Sequence, residues 1–205
     1  MEQAPLLTVG FVLLGYCCGL VPTGVLLTRR RGLDLRHTGS GNPGATNVLR
    51  TAGIGLGLAT LVGDLAKGAL PAGITLVAAG RTDLASLAGV AAVVGHCYPI
   101  GAGFDGGKGV ATALGALLVC APSAAAIAAV VFAVAVWATR IVSVGSLLGA
   151  LAAPLAAAGL DCPLPITSST GAMALIIWIR HRPNLRRLRA GTEPHLTAPK
   201  KQAAA

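Results

Sequence analysis

Charge is scarce in this chain: Asp, Glu, Lys and Arg make up only 11% of its 205 residues. A soluble domain carries about 25% charged residues, so roughly half the charge needed to coat a water-facing globule is present. Aromatics are scarcer still at 3%, while 54% of residues are hydrophobic and the mean hydropathy is +0.75. The apolar mass is therefore Ala, Leu, Val, Ile and Gly, side chains that pack as closely spaced helices. These shortages exclude a soluble enzyme built round one central core, and the hydrophobic content excludes a disordered chain.

Further absences bear on chemistry. The five cysteines (Cys17, Cys18, Cys97, Cys120, Cys162) are odd in number, scattered, and form no CxxC pair. Neither a disulfide framework nor a zinc site is indicated, and small buried hydrophobes are the plain reading. No HExxH, no GxSxG and no acidic cluster able to hold Mg²⁺ is present. None of His37, His96, His181 and His195 has an Asp five residues on, so the H-x-x-x-x-D acyltransferase pattern is missing as well. The expectation is chemistry with no metal and no cofactor.

What the chain does have is apolar spans separated by basic turns. Sixteen Lys and Arg against seven Asp and Glu give a net charge of +9, with five of the basic residues between Arg29 and Arg50 and seven between Arg180 and Lys201. No aromatic-interleaved basic stripe accompanies them, so no nucleic acid is expected as a partner. Beside apolar segments the excess reads as positive-inside orientation and attraction to anionic headgroups. The first arginines follow the first apolar segment, the reverse of a cleaved signal peptide, so residues 4–27 are expected to be a retained span.

Further spans are expected at about 53–79, 84–98, 110–121, 122–138, 142–159 and 166–179. The predicted fold is thus all-α: a polytopic transmembrane helical bundle of about seven spans, N-terminus outside and C-terminus cytoplasmic. With Met1 outside, Arg81 alone among the basic residues falls on the outer side, Lys67 lies within a span, and the other 14 face the cytoplasm. Several spans fall short of the roughly 20 residues of a straight crossing, which requires a thin protein or helix ends seated in polar cavities. Residues 1–205 are expected to form one membrane domain with a basic cytoplasmic tail from about residue 180. Gly15–Gly19, Gly53–Gly57 and Gly145–Gly149 are small-xxx-small pairs suited to helix packing.

Three polar islands could carry chemistry. In the first, within a polar loop over 29–50, Ser40, Asn42, Thr46 and Asn47 interleave with three glycines, and Arg50 follows. Glycines present backbone N–H groups, the neutral side chains add hydrogen bonds, and Arg50 adds a bidentate fork for phosphate or carboxylate. Standing alone, the segment reads sooner as a solvated cytoplasmic loop. In the second island, Gly106, Gly107 and Gly109 surround Lys108 just before a helix start, which favours an anion cradle over a flexible turn between helices. It is no Walker A loop, because that pattern demands glycine where Ala102 stands and Ser or Thr where Gly109 stands. The third runs from Arg180 to Arg189: His181 and Asn184 share a face if it is helical, while Arg186, Arg187 and Arg189 suit an amphipathic tail on anionic lipid.

Within the spans, Asp64 and Lys67 stand three apart and read first as an ion pair, with a substrate role for Lys67 second. His96 reads as a structural histidine. Arg50, Lys108, Arg140 and Arg180 or Arg182, with Ser143 and Ser146 on the same side, give that face the electrostatics of a phosphate site. Two functions compete: an enzyme, or a transporter or channel for a phosphate-bearing anion. Alternating access would need ligand groups near the midplane, whereas all three islands map to one side.

Taken in order, GSGNPGATNVLR at 39–50, GHCYPIGAGFDGGKGVATALG at 95–115, TRIVSVGS at 139–146 and HRPNLRRLRAGTE at 181–193 resemble the bacterial membrane acyl-phosphate:glycerol-3-phosphate acyltransferase family. The resemblance implies transfer of an acyl group from acyl phosphate to glycerol 3-phosphate, giving 1-acyl-glycerol 3-phosphate and phosphate for phospholipid synthesis, at the bacterial inner membrane with the active site towards the cytoplasm. It implies catalytic roles for Ser40, Arg50, Lys108, His181 and Asn184, and substrate contacts from Asn42, Thr46, Asn47, Gly106, Gly107, Gly109 and Ser146. The lipid bilayer is the expected surrounding, and the upstream enzyme that forms acyl phosphate is a candidate partner. Two residues depart from many relatives: Asp105, which lowers local positive charge, and Pro183, which is expected to push Arg182 out of helical geometry. An acyl phosphate is already activated, so no covalent nucleophile is needed. The general base is either His181 or a phosphate oxygen of the donor.

Overall fold

The computed structural model describes residues 3–103 and 105–196. Phe104 in the second island and Lys200 and Lys201 of the basic tail lie outside the described residues. Among those described, the fold is all-helical: α1 (Gln3–Leu20), α2 (Thr23–Arg29), α3 (Ala45–Ala52), α4 (Ile54–Ala79), α5 (Thr82–Cys97), α6 (Val110–Cys120), α7 (Pro122–Thr139), α8 (Val142–Gly159), α9 (Leu164–Arg180) and α10 (Arg182–Arg189), with a 3₁₀ turn at Ile100–Ala102.

Among the described residues, five helical stretches are long and apolar enough to cross a membrane: Pro5–Arg29, Ile54–Ala79, Thr82–Ala102, Pro122–Thr139 and Val142–Gly159. Two apolar helices, Val110–Cys120 and Leu164–Arg180, are shorter. At 1.5 Å per residue the 11 residues of α6 extend only about 16 Å, half a bilayer core. The seven apolar segments coincide with the expected ones, but two interruptions differ.

The first segment is broken rather than continuous. Pro22 has no N–H to continue the ladder, and the chain restarts as α2. The polar loop over 29–50 is also partly helical, since α3 starts at Ala45. Its Val48 is fully buried, which anchors the short helix to the bundle. Gly53, at φ +90°, then separates α3 from α4, a conformation side chains with a Cβ rarely adopt.

Small residues set the helix spacing. Gly15 and Gly19 of α1 abut the backbone of α5 at Ala88 and Ala92, and Gly145 and Gly149 of α8 abut α7 at Phe132 and Ala128. Gly68 and Gly115 bring α4 and α6 together the same way. The third expected pair behaves otherwise: Gly57 packs on Leu49, while Gly53 meets nothing. The core is accordingly alanine-rich, with Ala92, Ala116, Ala124, Ala125 and Ala157 wholly buried. Large apolar side chains such as Leu6, Val77, Val130 and Leu155 point outwards, as a lipid-facing surface requires.

Candidate active site

One end of the bundle gathers the segment 29–53, the loop 98–109, the α7–α8 junction and the chain from 180 to 196. Cross-links tie them together: Arg36 Nη2 donates to Ala102 O at 3.5 Å, Arg50 Nη2 to Pro194 O at 3.2 Å, and Leu196 N–H to Arg140 O at 2.6 Å. A cavity of about 320 Å³ opens there and runs on between α6, α7, α8 and α9.

Ten of the twelve expected residues line it: Ser40, Asn42, Thr46, Asn47, Arg50, Lys108, Gly109, Ser146, His181 and Asn184. They divide by what their side chains still have free. Asn47 is buried and committed, its Oδ1 accepting from Ser40 N–H at 2.8 Å and its Nδ2 donating to Thr38 O at 2.9 Å. It fixes the loop that presents Ser40. Asn42 closes a local turn through Oδ1 and Gly44 N–H at 2.9 Å. Ser146 donates to Val142 O at 3.0 Å and keeps only acceptor capacity.

The charged groups are less satisfied. Lys108 forms no ion pair or hydrogen bond among the described residues, and burial pushes its ammonium down to about 8, with Glu193 opposing and Arg187, Arg50 and Arg180 adding to the drop. Burial likewise holds Arg50 below its usual range, and its Nε is buried without a partner. Gly109 ends the loop at φ +80°, and α6 starts beside it, its first-turn N–H groups lacking helical acceptors.

His181 is 2% exposed and sits at the turn between α9 and α10. Burial pushes its imidazole down to about 4, so it is neutral at pH 7. Its Nδ1 lies 2.8 Å from Ile177 O, which fixes the proton there and leaves Nε2 as a bare acceptor. Asn184, one helical turn on, donates to Glu193 Oε1 at 2.5 Å and leaves its own Oδ1 buried without a partner.

Gly106 and Gly107 do not line this cavity; they border a second one, also of about 320 Å³. Their N–H groups are already taken, by Cys97 O at 3.2 Å and His96 O at 3.0 Å, so they cannot cradle an anion. Their carbonyls accept from Arg180, at 2.7 Å from Gly106 O and 3.1 Å from Gly107 O. Arg180 thus holds the loop, stacks 5.3 Å from the Tyr98 ring centroid, and pairs with Asp105 at 3.0 Å. Asp105 therefore neutralises Arg180 rather than the cavity. Arg140 and Arg182 do not reach the cavity either. Pro183 leaves Arg182 helical, because at the second position of α10 it displaces no helical N–H bond.

Glu193 and Arg187 also line the cavity and were not assigned to a site from sequence. Glu193 accepts from Ser143 Oγ at 2.7 Å, Asn184 and Arg187 Nε at 2.7 Å; burial pushes its carboxyl up, but these bonds together hold it below the usual range. A lone acid in a basic tail was the available signal. Arg187, three residues past Asn184, faces the cavity rather than only lipid, and the i, i+3 spacing could have placed it there.

Below the polar head the cavity is apolar, walled by Leu114 and Leu117, Ala128 and Phe132, Ala150 and Ala153, and Met173. From Ser143 to Ala153 along α8 this arm runs about 15 Å. The site thus joins a cationic, underpartnered head to an apolar slot.

Comparison with known proteins agrees. Residues 9–191 match the family described as glycerol-3-phosphate acyltransferase. The glycerol-3-phosphate acyltransferase of Syntrophotalea carbinolica is 46% identical over 192 residues, covering 91% of this chain and 96% of that protein. Two crystal structures of PlsY (YgiH), described as an integral membrane glycerol 3-phosphate acyltransferase, are similar throughout. The glycerol 3-phosphate form has a TM-score of 0.89 at 35% identity, covering 93% of this chain and 96% of that one. The lysophosphatidic acid form has a TM-score of 0.86 at 34% identity, covering 92% and 94%. This chain belongs to the glycerol-3-phosphate acyltransferase family of integral membrane proteins.

Proposed function

We propose that this protein transfers an acyl group from an acyl phosphate to the sn-1 hydroxyl of glycerol 3-phosphate, releasing phosphate and leaving 1-acyl-glycerol 3-phosphate for phospholipid synthesis. The observation that carries this reading is the continuity of the cavity: unpaired Lys108 and Arg50 Nε at its polar end, an apolar slot beyond. Arg50, Lys108 and Arg187 line the cavity with two carboxylates, Glu193 and Asp64; Glu193 pairs with Arg187 and Asp64 with Lys67, which leaves the charges of Arg50 and Lys108 uncompensated. A phosphomonoester carries about −1.5 to −2 at pH 7 and matches that surplus. Family membership favours acyl transfer over the anion transport considered from sequence.

In the step itself the glycerol hydroxyl oxygen bonds to the acyl carbon, and the bond from that carbon to the phosphate oxygen breaks. Phosphate departs as a stable anion. The hydroxyl proton goes to His181 Nε2, a bare acceptor on a neutral ring, or to an oxygen of the leaving phosphate. Arg50 and Lys108 neutralise phosphate and Ser40 orients it, while the free acceptor oxygens of Asn184 and Ser146 face a hydroxyl of the acceptor. Holding both reactants in line supplies about 7–11 kcal/mol without a covalent intermediate, and preorganised donors supply several more.

The protein is read as one domain over residues 1–205, crossing the bacterial inner membrane about seven times, N-terminus outside. The polar head then opens to the cytoplasm, where glycerol 3-phosphate is dissolved, and the acyl donor comes from an upstream acyl-phosphate-forming enzyme. The arginines at Arg29, Arg30 and Arg31, immediately past the first apolar segment, support that orientation.

The test is product formation by purified protein given glycerol 3-phosphate with palmitoyl phosphate or palmitoyl-CoA. Lysophosphatidate from palmitoyl phosphate alone, with no metal added, is expected. Product only from the CoA ester would overturn the donor.

A further inference from the structure

Between the two cavities lies a buried polar constellation that the transfer step does not use: Asp64 and His96 border both, and Lys67 the second. Lys67 is 7% exposed, and three acceptors use its three ammonium protons: Asp64 Oδ1 at 2.7 Å, Val21 O at 2.9 Å and His96 Nδ1 at 2.9 Å. Asp64 also accepts from Thr23 Oγ1. The Val21 carbonyl is open to Lys67 where Pro22 breaks the first helix. With all three protons committed, Lys67 has nothing left for a substrate. An apolar group of this shape would serve stability as well as a buried ion pair does, or better, so stability alone does not account for the arrangement.

The constellation's outlet is His96. Because Nδ1 accepts from Lys67, the ring carries its proton on Nε2 and cannot turn without unpairing a buried ammonium. The ring packs flush on Gly107, so that a methyl added at Gly107 would fall on Nε2, Cε1 and Cδ2. The backbone of His96 and Cys97 straps the loop from the same side, and Arg180 straps it from the other. The loop needs such a stop, because the second cavity lies behind Gly106 and Gly107 and offers room for it to sink away. Lys108 and the start of α6 follow directly.

We propose that Asp64, Lys67 and His96 are positioning residues that hold the Gly106–Gly109 loop forward, setting where Lys108 meets the phosphate of the acceptor. The proposal rests on the reading of Lys108 as a contact to glycerol 3-phosphate. A purely structural constellation would change thermal stability and weaken both substrates together, whereas a positioning device acts on the acceptor alone.

The experiment measures KM for glycerol 3-phosphate and for palmitoyl phosphate, with thermal stability, in His96→Ala, Gly107→Ala, the double variant and Lys108→Ala. Loss of the ring is expected to raise KM for glycerol 3-phosphate roughly ten- to a hundredfold, while KM for palmitoyl phosphate stays within about twofold. Gly107→Ala, which drives a methyl into the ring, is expected to give the same split. In the double variant the methyl occupies space the ring vacated, so acceptor affinity should recover above that of either single variant. Equal changes in both KM values, or none, in folded protein would overturn the proposal. Should His96→Ala not fold, an unchanged acceptor KM in Gly107→Ala has the same force. If Lys108→Ala weakens the acceptor and His96→Ala does not, the positioning role alone fails. If neither does, the reading of Lys108 fails and carries the positioning role with it.

Discussion

Asn184 Nδ2 and Glu193 Oε1 stand 2.5 Å apart, and this bond turns the Asn184 amide so that its Oδ1 faces the interior without a partner. A buried acceptor left open in a cationic cavity is a group held ready for a donor, here a hydroxyl of the acceptor substrate. Asn184→Ala removes it and also deprives Glu193 of a bond. A loss of about 1–3 kcal/mol is expected, read as roughly a five- to hundredfold fall in kcat/KM. Asn184→Asp should be worse than alanine, because it sets a second carboxylate against Glu193. Alanine proving the more damaging would refute the account.

Lys108 makes affinity for the acceptor pH-dependent. Its ammonium, pushed down from 10.5 to about 8, is lost as pH rises through 8 rather than through the usual lysine range. KM for glycerol 3-phosphate should therefore climb above pH 8, by about tenfold per unit at most. Lys108→Arg keeps the charge and should abolish the break. His181, down at about 4, should add no acid limb above pH 5. A KM profile from pH 6 to 10 tests both statements.

Arg50 and Lys108 are not interchangeable with neutral groups of any shape. Alanine at either should cut turnover by at least about an order of magnitude, the usual cost of losing a charge-assisted contact. Arg50→Lys should recover only part, since it cannot both reach Pro194 O and offer a second donor to the ligand. Initial rates with both substrates saturating decide the matter.

The apolar slot should measure the donor's chain. Ala153, 5% exposed on α8, lies deep along it, and Ala153→Leu adds three carbons there. Each methylene excluded forfeits about 0.8 kcal/mol, so preference should move towards shorter chains by roughly fivefold or more. Competition between decanoyl and palmitoyl phosphates gives that ratio directly. An unchanged ratio would place the chain elsewhere.

Much of this was legible in one dimension. Hydropathy runs located all seven apolar segments, because burial in lipid selects residues one at a time along a helix. Ser40, Arg50, Lys108, His181 and Asn184 stood out as polar groups beside glycine-rich turns or at the end of an apolar segment, and all five reach one cavity. Gly106 and Gly107 misled: glycine beside lysine suggests free N–H groups, yet hydrogen bonds to the end of α5 consume them.

By itself the sequence determined composition-level properties: a membrane bundle, the ends of its apolar segments, the charge asymmetry and the polar islands. These follow from free energies that depend on residue type and near neighbours. The tertiary structure decided which side chains remain unsatisfied. Glu193, fifty residues from Ser143, is drawn into the site by three donors, and His96 meets Lys67 from twenty-nine residues away. A lysine is a ligand for phosphate only if nothing in the fold has already taken its protons. Lys67 and Lys108 carry the same chemistry in sequence, and the fold alone pairs the first and leaves the second open.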